Sequence, residues 1–280
     1  VRLPEVVLVY LTGKPRRGIG PHDIAIALTK AVFADGFVKN RVLEFVGPGI
    51  KNLPVDFRNG IDVMTTETTC LSSIWETDEQ VRDFYAIHGR PECYKKLSPA
   101  KVAYYDRLIT IDLDKAEAMI ALPFHPSNAY TIHEFNENAK EILAGVEKEA
   151  SEKFGKVKFD LVSKVKDGKV YADQGIIAGC SGGLFDNICE AAAILDGKST
   201  GNSYFNLSVY PTSVPVSIAL TENGSTRKLL EAGIYDDTRT VDLMDRFEGF
   251  GKDTAYVQLV LRNIVCINIE GDYEYLSLVV

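Results

Sequence analysis

A strand, a helix and a second strand follow one another near the start of the chain, and this order constrains the fold more than any other feature. The apolar, β-branched run Val6–Leu11 predicts a buried strand. Pro21–Asp23 opens a helix that Gly36 ends, and Arg41–Val46 predicts the next strand, stopped by Gly47–Gly49. Two strands joined through a helix are parallel, so the spacing predicts a parallel sheet covered by helices.

The same alternation continues along most of the chain. In the first half, the predicted helices are Val55–Thr66 and Glu79–Ile87, and the predicted strand is Leu108–Leu113. In the second half, the predicted strands are Gly175–Cys180 and Phe205–Tyr210, and the predicted helices are Leu184–Leu195, Val214–Leu220 and Thr226–Ala232. These patterns favour an α/β fold with mainly parallel sheets.

The 280 residues allow one large domain or two ordinary ones. A stretch rich in Glu, Lys and Ala, residues 134–153, predicts one long and largely exposed helix, with a turn at Lys164–Lys169. We therefore expect two three-layer α/β/α domains, 1–133 and 173–280, joined by a helical linker, 134–172. From about residue 234 the pattern changes, and residues 256–269 are compatible with either a strand or a buried helix.

Composition narrows the classes of partner. The net charge is −8 and the sequence pI is about 5.2. An acidic surface is a poor match for the phosphate backbone of a nucleic acid, so we do not expect a nucleic-acid partner. No apolar run reaches the length of a membrane span. The chain has five cysteines, a number that is small for its length and odd, and this argues against a disulfide framework. We therefore expect a reducing, cytoplasmic location.

Two residues are the leading candidates for chemistry. Glu44 interrupts an apolar strand just before Gly47, and a carboxylate near the end of a parallel strand points toward the crevice where α/β proteins bind ligands. The alternative is an exposed glutamate on an edge strand. Cys180 stands at a strand-to-helix turn, where the helix dipole favours a thiolate that serves as nucleophile or metal ligand. The alternative is a buried cysteine used as a small apolar residue.

Other motifs carry weaker signals. The basic loop Gly13–Gly20 matches neither phosphate-binding glycine pattern, so a plain connector is favoured. His125 lies in a stiff loop, and a structural role is favoured over a functional one. The four histidines lack zinc-site spacing, and no C-x-x-C pair occurs, so a self-contained zinc site or cluster is not encoded.

Several separate blocks resemble the aconitase superfamily, the [4Fe–4S] hydro-lyases, and especially an aconitase-like bacterial hydratase branch. The similarity covers roughly residues 3–233 and implies an aconitase-type α/β fold. The blocks are VLEFVGPG at Val42–Gly49, RNGIDVMTTETT at Arg58–Thr69, MIALPFHP at Met119–Pro126 and IIAGCSGGLFDNI at Ile176–Ile188.

The resemblance assigns roles to the two leading candidates. Glu44 matches the glutamate that holds the substrate hydroxyl or the cluster-bound water. Cys180 matches the first of three thiolates that bind the [4Fe–4S] cluster, whose open iron acts as a Lewis acid. The implied activity is hydratase or isomerase chemistry on a small hydroxy di- or tricarboxylic acid.

The chain also departs from the family pattern. The family reads S-C-T-N where this chain has Gly179–Gly182, and its other two cluster cysteines are expected shortly after Gly233. In this chain, no cysteine follows Gly233 until Cys266. A truncated or frame-shifted tail would explain the absence of the two expected cysteines. We therefore expect an incomplete chain that is inactive alone, with a separate chain carrying the missing domains as its candidate partner. The alternative is a non-catalytic module for carboxylate binding or assembly that has lost the cluster.

Overall fold

The computed structural model describes residues 3–155, 159–172, 174–200 and 206–236. The chain forms two compact units, Val1–Glu117 and Ala118–Val280, which are described separately below. Along the chain, the boundary between the two units falls after Glu117. The domain limits predicted from the sequence, at residues 133 and 172, stay a prediction.

The first unit is built on a four-stranded parallel sheet with the strand order β3-β2-β1-β4. Its strands are β1 (Val6–Thr12), β2 (Val42–Val46), β3 (Ser72–Trp75) and β4 (Arg107–Asp112). Its α-helices are α1 (Pro21–Phe33), α2 (Val55–Asp62) and α3 (Glu79–Ile87). Short 3-10 turns lie at Ile50–Asn52, Thr65–Thr68, Pro91–Cys93 and Leu113–Lys115.

One face of this sheet forms the core of the first unit. Alternate residues of a strand point to opposite faces, and one alternate set in β1 and β2 is fully buried. That set packs with apolar side chains of α1 and α2, including Ile24, Leu28 and Ile61. The buried strand residues are Val7, Val9, Leu11, Leu43 and Phe45.

The second unit begins with an antiparallel hairpin and a long helix. Strands β5 (Met119–Ala121) and β6 (Ala129–Thr131) pair with each other, and α4 (Ile132–Phe154) follows directly. Strands β7 (Val165–Lys166) and β8 (Lys169–Val170) form a second hairpin. The apolar stripe of α4 packs with the first hairpin, through Phe135, Ala139, Leu143, Val146, Ile120 and Leu122.

A three-stranded parallel sheet completes the second unit, with the order β11-β10-β9. Its strands are β9 (Gln174–Ile177), β10 (Asn206–Val209) and β11 (Tyr235–Asp236). The accompanying helices are α5 (Gly179–Gly182), α6 (Phe185–Leu195), α7 (Val214–Glu222) and α8 (Ser225–Glu231). Apolar residues of α6, α7 and α8 bury the strand residues Ile177, Leu207 and Val209.

The predicted fold class, α/β with mainly parallel sheets, is confirmed. The helix expected over Val55–Thr66 ends earlier, at Asp62, and a separate 3-10 turn follows. The strand expected over Gly175–Cys180 ends at Ile177. The expected helix or strand at 256–269, and the tail beyond Asp236, lie outside the described residues. Among the described helices, none has the length and apolar character needed to cross a membrane.

Candidate functional site

Glu44 lies in the middle of β2, on the sheet face opposite the buried core. Its neighbours Leu43 and Phe45 are fully buried on the core face, while the Glu44 side chain is half-buried. In the sheet register, Glu44 stands between Leu8 of β1 and Ile74 of β3. The carboxylate therefore lies among apolar neighbours in the body of the sheet and not at the outer end of its strand.

The Gly47-Pro48-Gly49 motif that follows β2 is explained by close packing. Gly47 has φ of 119°, and a Cβ there would lie 2.5 Å from the carbonyl oxygen of Leu11. The Gly49 N–H donates to the same oxygen at 2.9 Å. The two glycines let the chain leave β2 tight against the end of β1, and this turn fixes the end of the strand that carries Glu44.

Tyr105 lies two residues before β4, and its hydroxyl oxygen is buried. That oxygen has no partner of standard hydrogen-bond geometry among the described residues. Burial first, then the charge of Glu44 and its capacity to accept a hydrogen bond, then the charge of Glu76, raise the pKa of Tyr105. The phenol therefore stays protonated at neutral pH.

The segment before Tyr105 connects opposite ends of the sheet. Near the carboxyl end of β3, the Thr77 N–H donates to the Leu97 carbonyl at 2.9 Å, and the Leu97 N–H donates to Thr77 Oγ1 at 2.7 Å. At the amino end of β1, the Asp106 N–H donates to the Val6 carbonyl at 2.9 Å. The Val6 N–H donates in return to Asp106 Oδ2 at 2.8 Å. This double anchor fixes the backbone next to Tyr105.

Glu44 and Glu76 make this region of the first unit acidic. Neither carboxylate forms an ion pair with a lysine or arginine among the described residues. Two carboxylates beside a neutral phenol can accept, hold and return a proton. The carboxylate groups of an anionic ligand, by contrast, would need positive charge from elsewhere.

Cys180 is the corresponding candidate in the second unit. It lies in α5, in the first helical turn after β9, and its side chain is exposed. Ala178 precedes the helix as its N-cap, and Gly179 has φ of 91°. The expectation of a thiol at a strand-to-helix turn is met, and because the residue is exposed, the alternative of a buried small apolar residue is wrong.

The other described cysteines are Cys70 and Cys93 in the first unit and Cys189 in the second. Cys189 on α6 accepts hydrogen bonds from Asn223 Nδ2 at 3.2 Å and from Ser225 Oγ at 3.6 Å. No group of three or more His, Cys, Asp or Glu side chains within the described ranges could hold a metal ion. A [4Fe–4S] cluster bound by three cysteines does not fit the described residues alone, and Cys266 lies outside them.

The weaker candidates have local contacts. His125 Nδ1 lies 2.9 Å from Ser127 Oγ within the same loop, in line with a structural role. In the basic loop after β1, the Lys14 N–H donates to Asp114 Oδ1, and Arg16 Nη2 donates to the Ala116 carbonyl at 2.9 Å. These contacts tie the loop to the 3-10 turn that follows β4, as a connector requires.

Comparison with protein families settles the relationship that these elements suggest. The family model described as the aconitase family (aconitate hydratase) matches residues 1–238. The chain belongs to the aconitase family.

Several curated proteins are similar to this chain, and three of them are dehydratase large subunits. The 3-isopropylmalate dehydratase large subunit of Lachnoclostridium phytofermentans is 26% identical over 239 residues, 85% of this chain and 48% of that protein. The 3-isopropylmalate dehydratase large subunit 1 of Thermotoga maritima is 27% identical over 232 residues, 83% of this chain and 48% of that protein. The 2,3-dimethylmalate dehydratase large subunit of Eubacterium barkeri is 26% identical over 239 residues, 85% of this chain and 49% of that protein.

The chain thus spans about half the length of the aconitase-family relatives that it matches. Among solved structures, the holo form of aconitase X from Thermococcus kodakaraensis is similar at 13% identity and a TM-score of 0.38. That match covers 84% of this chain and 43% of the other.

Two residues of the first unit that act on the candidate site around Glu44 could not be found from sequence reasoning. Tyr105 follows a polar, lysine-rich stretch without a motif, and Glu76 follows a short strand that was not predicted. Glu44 influences the Tyr105 hydroxyl only because the chain returns toward β1 before β4 begins. No local pattern signals a contact of this kind.

Proposed function

We propose that this chain supplies the Glu44-bearing part of a hydro-lyase. The substrate class is a small hydroxy di- or tricarboxylic acid, as in the relatives named for 3-isopropylmalate and 2,3-dimethylmalate. One observation carries the proposal: the Glu44 carboxylate lies half-buried in the sheet, in register with the apolar residues Leu8 and Ile74.

The chemistry of dehydration suits such a carboxylate. Water is lost across a carbon–carbon bond when a proton leaves the carbon next to a carboxylate and the hydroxyl departs with a proton. A carboxylate in a partly desolvated place holds the substrate hydroxyl by a charge-assisted hydrogen bond. We assign this holding and proton-transfer role to Glu44.

Cys180 is proposed as one ligand of the family's [4Fe–4S] cluster, which supplies Lewis-acid chemistry when it is bound. The described residues offer one exposed thiol in this role, so the remaining ligands must come from residues outside the described ranges or from a separate chain. The same applies to the positive charge that the carboxylates of the substrate require. The sparse and odd number of cysteines, five in 280 residues, favours a reducing, cytoplasmic location.

The test compares two preparations of the tagged chain. The chain expressed alone is reconstituted anaerobically with iron and sulfide, and the chain purified anaerobically from its native cells retains any bound partner. Dehydration of 3-isopropylmalate, 2,3-dimethylmalate and citrate is measured, together with iron and sulfide per chain. We expect turnover in the native preparation, a loss of at least about 100-fold in Glu44→Gln, and no turnover from the chain alone.

Matched variants separate the outcomes. Glu117→Gln, at an exposed glutamate of the same unit, should keep full turnover, and Cys189→Ala should keep the iron that Cys180→Ala loses. Turnover by the isolated chain clearly above its Cys180→Ala variant would show that no partner is needed. A colourless native preparation that binds a tricarboxylate without converting it would overturn the hydro-lyase in favour of a binding module.

A further inference from the structure

We propose that residues 98–104, the strap, form a lid that closes over Glu44 when a ligand with carboxylate groups binds there. The identity of that ligand as a hydroxy di- or tricarboxylic acid rests on the proposed function. The position of the strap and its capacity to close do not, because they follow from the connection between β3 and β4.

The topology of the sheet places this connection over the face that carries Glu44. In the order β3-β2-β1-β4, the steps from β1 to β2 and from β2 to β3 run one way, and the step from β3 to β4 runs back past both strands. Crossovers between parallel strands are almost always right-handed, so a reversal of direction moves the connection to the other face. Because α1 and α2 lie on the core face, the connection 76–106 passes over the opposite face, that of Glu44.

Two anchors hold the ends of the strap at opposite corners of this face. Leu97 is bonded to Thr77 beyond the carboxyl end of β3, and Asp106 is bonded to Val6 at the amino end of β1. The corners lie two strands apart and about five residues apart along the strands, a separation of roughly 20 Å. Extended chain from Leu97 to Asp106 reaches about 30 Å. The strap therefore has enough slack to move toward or away from the sheet.

The middle of the strap passes over Glu44. In the registers of β1 with β2 and of β2 with β3, the straight line between the anchors crosses β2 half-way along, near Glu44. Lys101 and Val102 are the middle residues of the strap, so they lie above this carboxylate. The charges of Glu44 and Glu76 also act on Tyr105, at the end of the strap, in agreement with this path.

The strap is not packed against the sheet in this structure. No backbone group from Ser98 to Tyr104 is hydrogen-bonded to the backbone of another described residue. The side chains of Val102 and Tyr104 are 68% and 92% exposed. Large apolar side chains on the Glu44 face are exposed as well, namely Tyr10, Ile74 and Leu108. Closure would bury the two apolar sets against each other, which is favourable because it removes apolar surface from water.

Charge favours the same movement. Lys101 is the one charged residue of the strap and is exposed. Glu44 and Glu76 form no ion pair with a lysine or arginine among the described residues. Closure brings the Lys101 ammonium to this acidic face, where it can also bind a carboxylate group of a ligand. Such a ligand binds the closed form more tightly than the open form, and this difference in affinity shifts the strap.

The position of the strap is tested without any ligand. Cysteine pairs are introduced into the 280-residue chain and oxidised, and peptide mass spectrometry identifies the linked residues. We expect Ile74→Cys to link to Val102→Cys, since a disulfide needs Cα atoms within about 7 Å. Ala31→Cys, exposed on α1 at the core face, should not link to Val102→Cys. Failure of the Ile74 pair, or equal yields for both pairs, would overturn the position.

Closure is tested in the preparation purified from native cells. Trypsin cleaves after exposed lysines, and its rate at Lys101 follows the population of the open strap. We expect 3-isopropylmalate, 2,3-dimethylmalate or citrate to slow cleavage after Lys101 by at least about 10-fold. Cleavage after Lys39, exposed in the turn between α1 and β2, should not change. Equal rates at Lys101 with and without each acid would refute closure by such a ligand.

Activity separates the lid from the proposed function. Lys101→Gln should raise KM by roughly 10-fold, the worth of a hydrogen bond between charged groups, and Lys96→Gln, at an exposed lysine before the strap, should not. Protection of Lys101 by an acid that is not converted would support the lid and refute the hydro-lyase. Turnover with unchanged cleavage at Lys101 and an unchanged KM in Lys101→Gln would refute the lid and leave the hydro-lyase intact.

Discussion

The guanidinium of Arg58 lies 2.5 Å from the carboxylate of Asp78, and this pair joins α2 to the start of α3. Arg58 is almost fully buried, and it also donates to the carbonyl oxygens of Leu53 at 3.0 Å and Ile50 at 3.1 Å. Asp78 is the N-cap of α3 and accepts the Val81 N–H at 3.3 Å. One carboxylate therefore both begins a helix and balances a buried charge.

Replacing the buried cation is expected to destabilise the first unit. Arg58→Met should lower the free energy of unfolding by about 3 kcal/mol, because it leaves the Asp78 charge without its partner and frees two carbonyl groups. Urea denaturation followed by circular dichroism measures the change. The exposed pair Arg82–Asp83 provides the control, and Arg82→Met should cost less than about 1 kcal/mol. Equal losses in the two variants would contradict the argument.

The turn that carries Cys180 depends on a glycine. A Cβ at Gly183 would lie 2.6 Å from the Tyr210 carbonyl oxygen and 2.8 Å from that of Gly179, and backbone atoms cannot move away cheaply. Gly183→Ala should therefore lower the free energy of unfolding of the second unit by about 1–3 kcal/mol. Gly145→Ala in α4 meets no atom within 4 Å and should raise it by about 0.5–1 kcal/mol. Chemical denaturation of both variants gives the comparison, and a loss in Gly145→Ala would contradict it.

Local signals predicted the regular elements well. Helix α3 has the predicted limits, Glu79–Ile87, because the Asp78 side chain caps its first turn. The helix predicted to begin at Val55 ends at Asp62 and gives way to a 3-10 turn, where Thr65 and Thr68 donate their hydroxyls to nearby backbone carbonyls. Threonine side chains that bond the local backbone compete with the helix, and a periodicity argument does not weigh this competition.

Contacts between distant segments could not be predicted. Glu44 was found because its charge interrupts an apolar strand, and Cys180 because it stands at a strand-to-helix turn. The resemblance then supplied the roles of both residues. Strand β3 was missed, since Ser72–Trp75 is short and half of its residues are serine. Glu44 influences Tyr105 only through tertiary structure, as the chain returns to the amino end of β1. Sequence patterns report neighbours along one element and are silent on such pairs.

In the second unit, Glu147 on α4 holds the start of a short 3-10 helix, Val162–Lys164. Its Oε1 accepts the N–H groups of Leu161 at 2.5 Å and Val162 at 2.8 Å. Glu147→Ala leaves both donors without this acceptor, so the free energy of unfolding should fall by about 1–3 kcal/mol. Hydrogen exchange of the two amides should also become faster. Glu149→Ala, which removes only an exposed pair with Lys153, should change neither amide, and equal effects would refute the role of Glu147.

His22 should make the stability of the first unit depend on pH. It lies in the first turn of α1, and burial lowers its pKa from the ordinary 6.5 to about 4. The unfolded chain therefore binds a proton at a higher pH than the folded chain does. The free energy of unfolding has its full value above pH 6.5 and falls between pH 6.5 and 4, by about 1.4 kcal/mol per pH unit and about 3 kcal/mol in total.

This contribution can be isolated because other groups remain the same between variants. His22→Gln removes the titrating ring, so the difference in unfolding free energy between wild type and variant should shrink as the pH falls from 7 to 4. His133→Gln, at an exposed position on α4, serves as the control and should keep the wild-type slope. Urea denaturation at each pH gives the slopes. A His22→Gln curve parallel to wild type over this window would mean that His22 takes up its proton equally well in the folded and unfolded chain, in conflict with its burial.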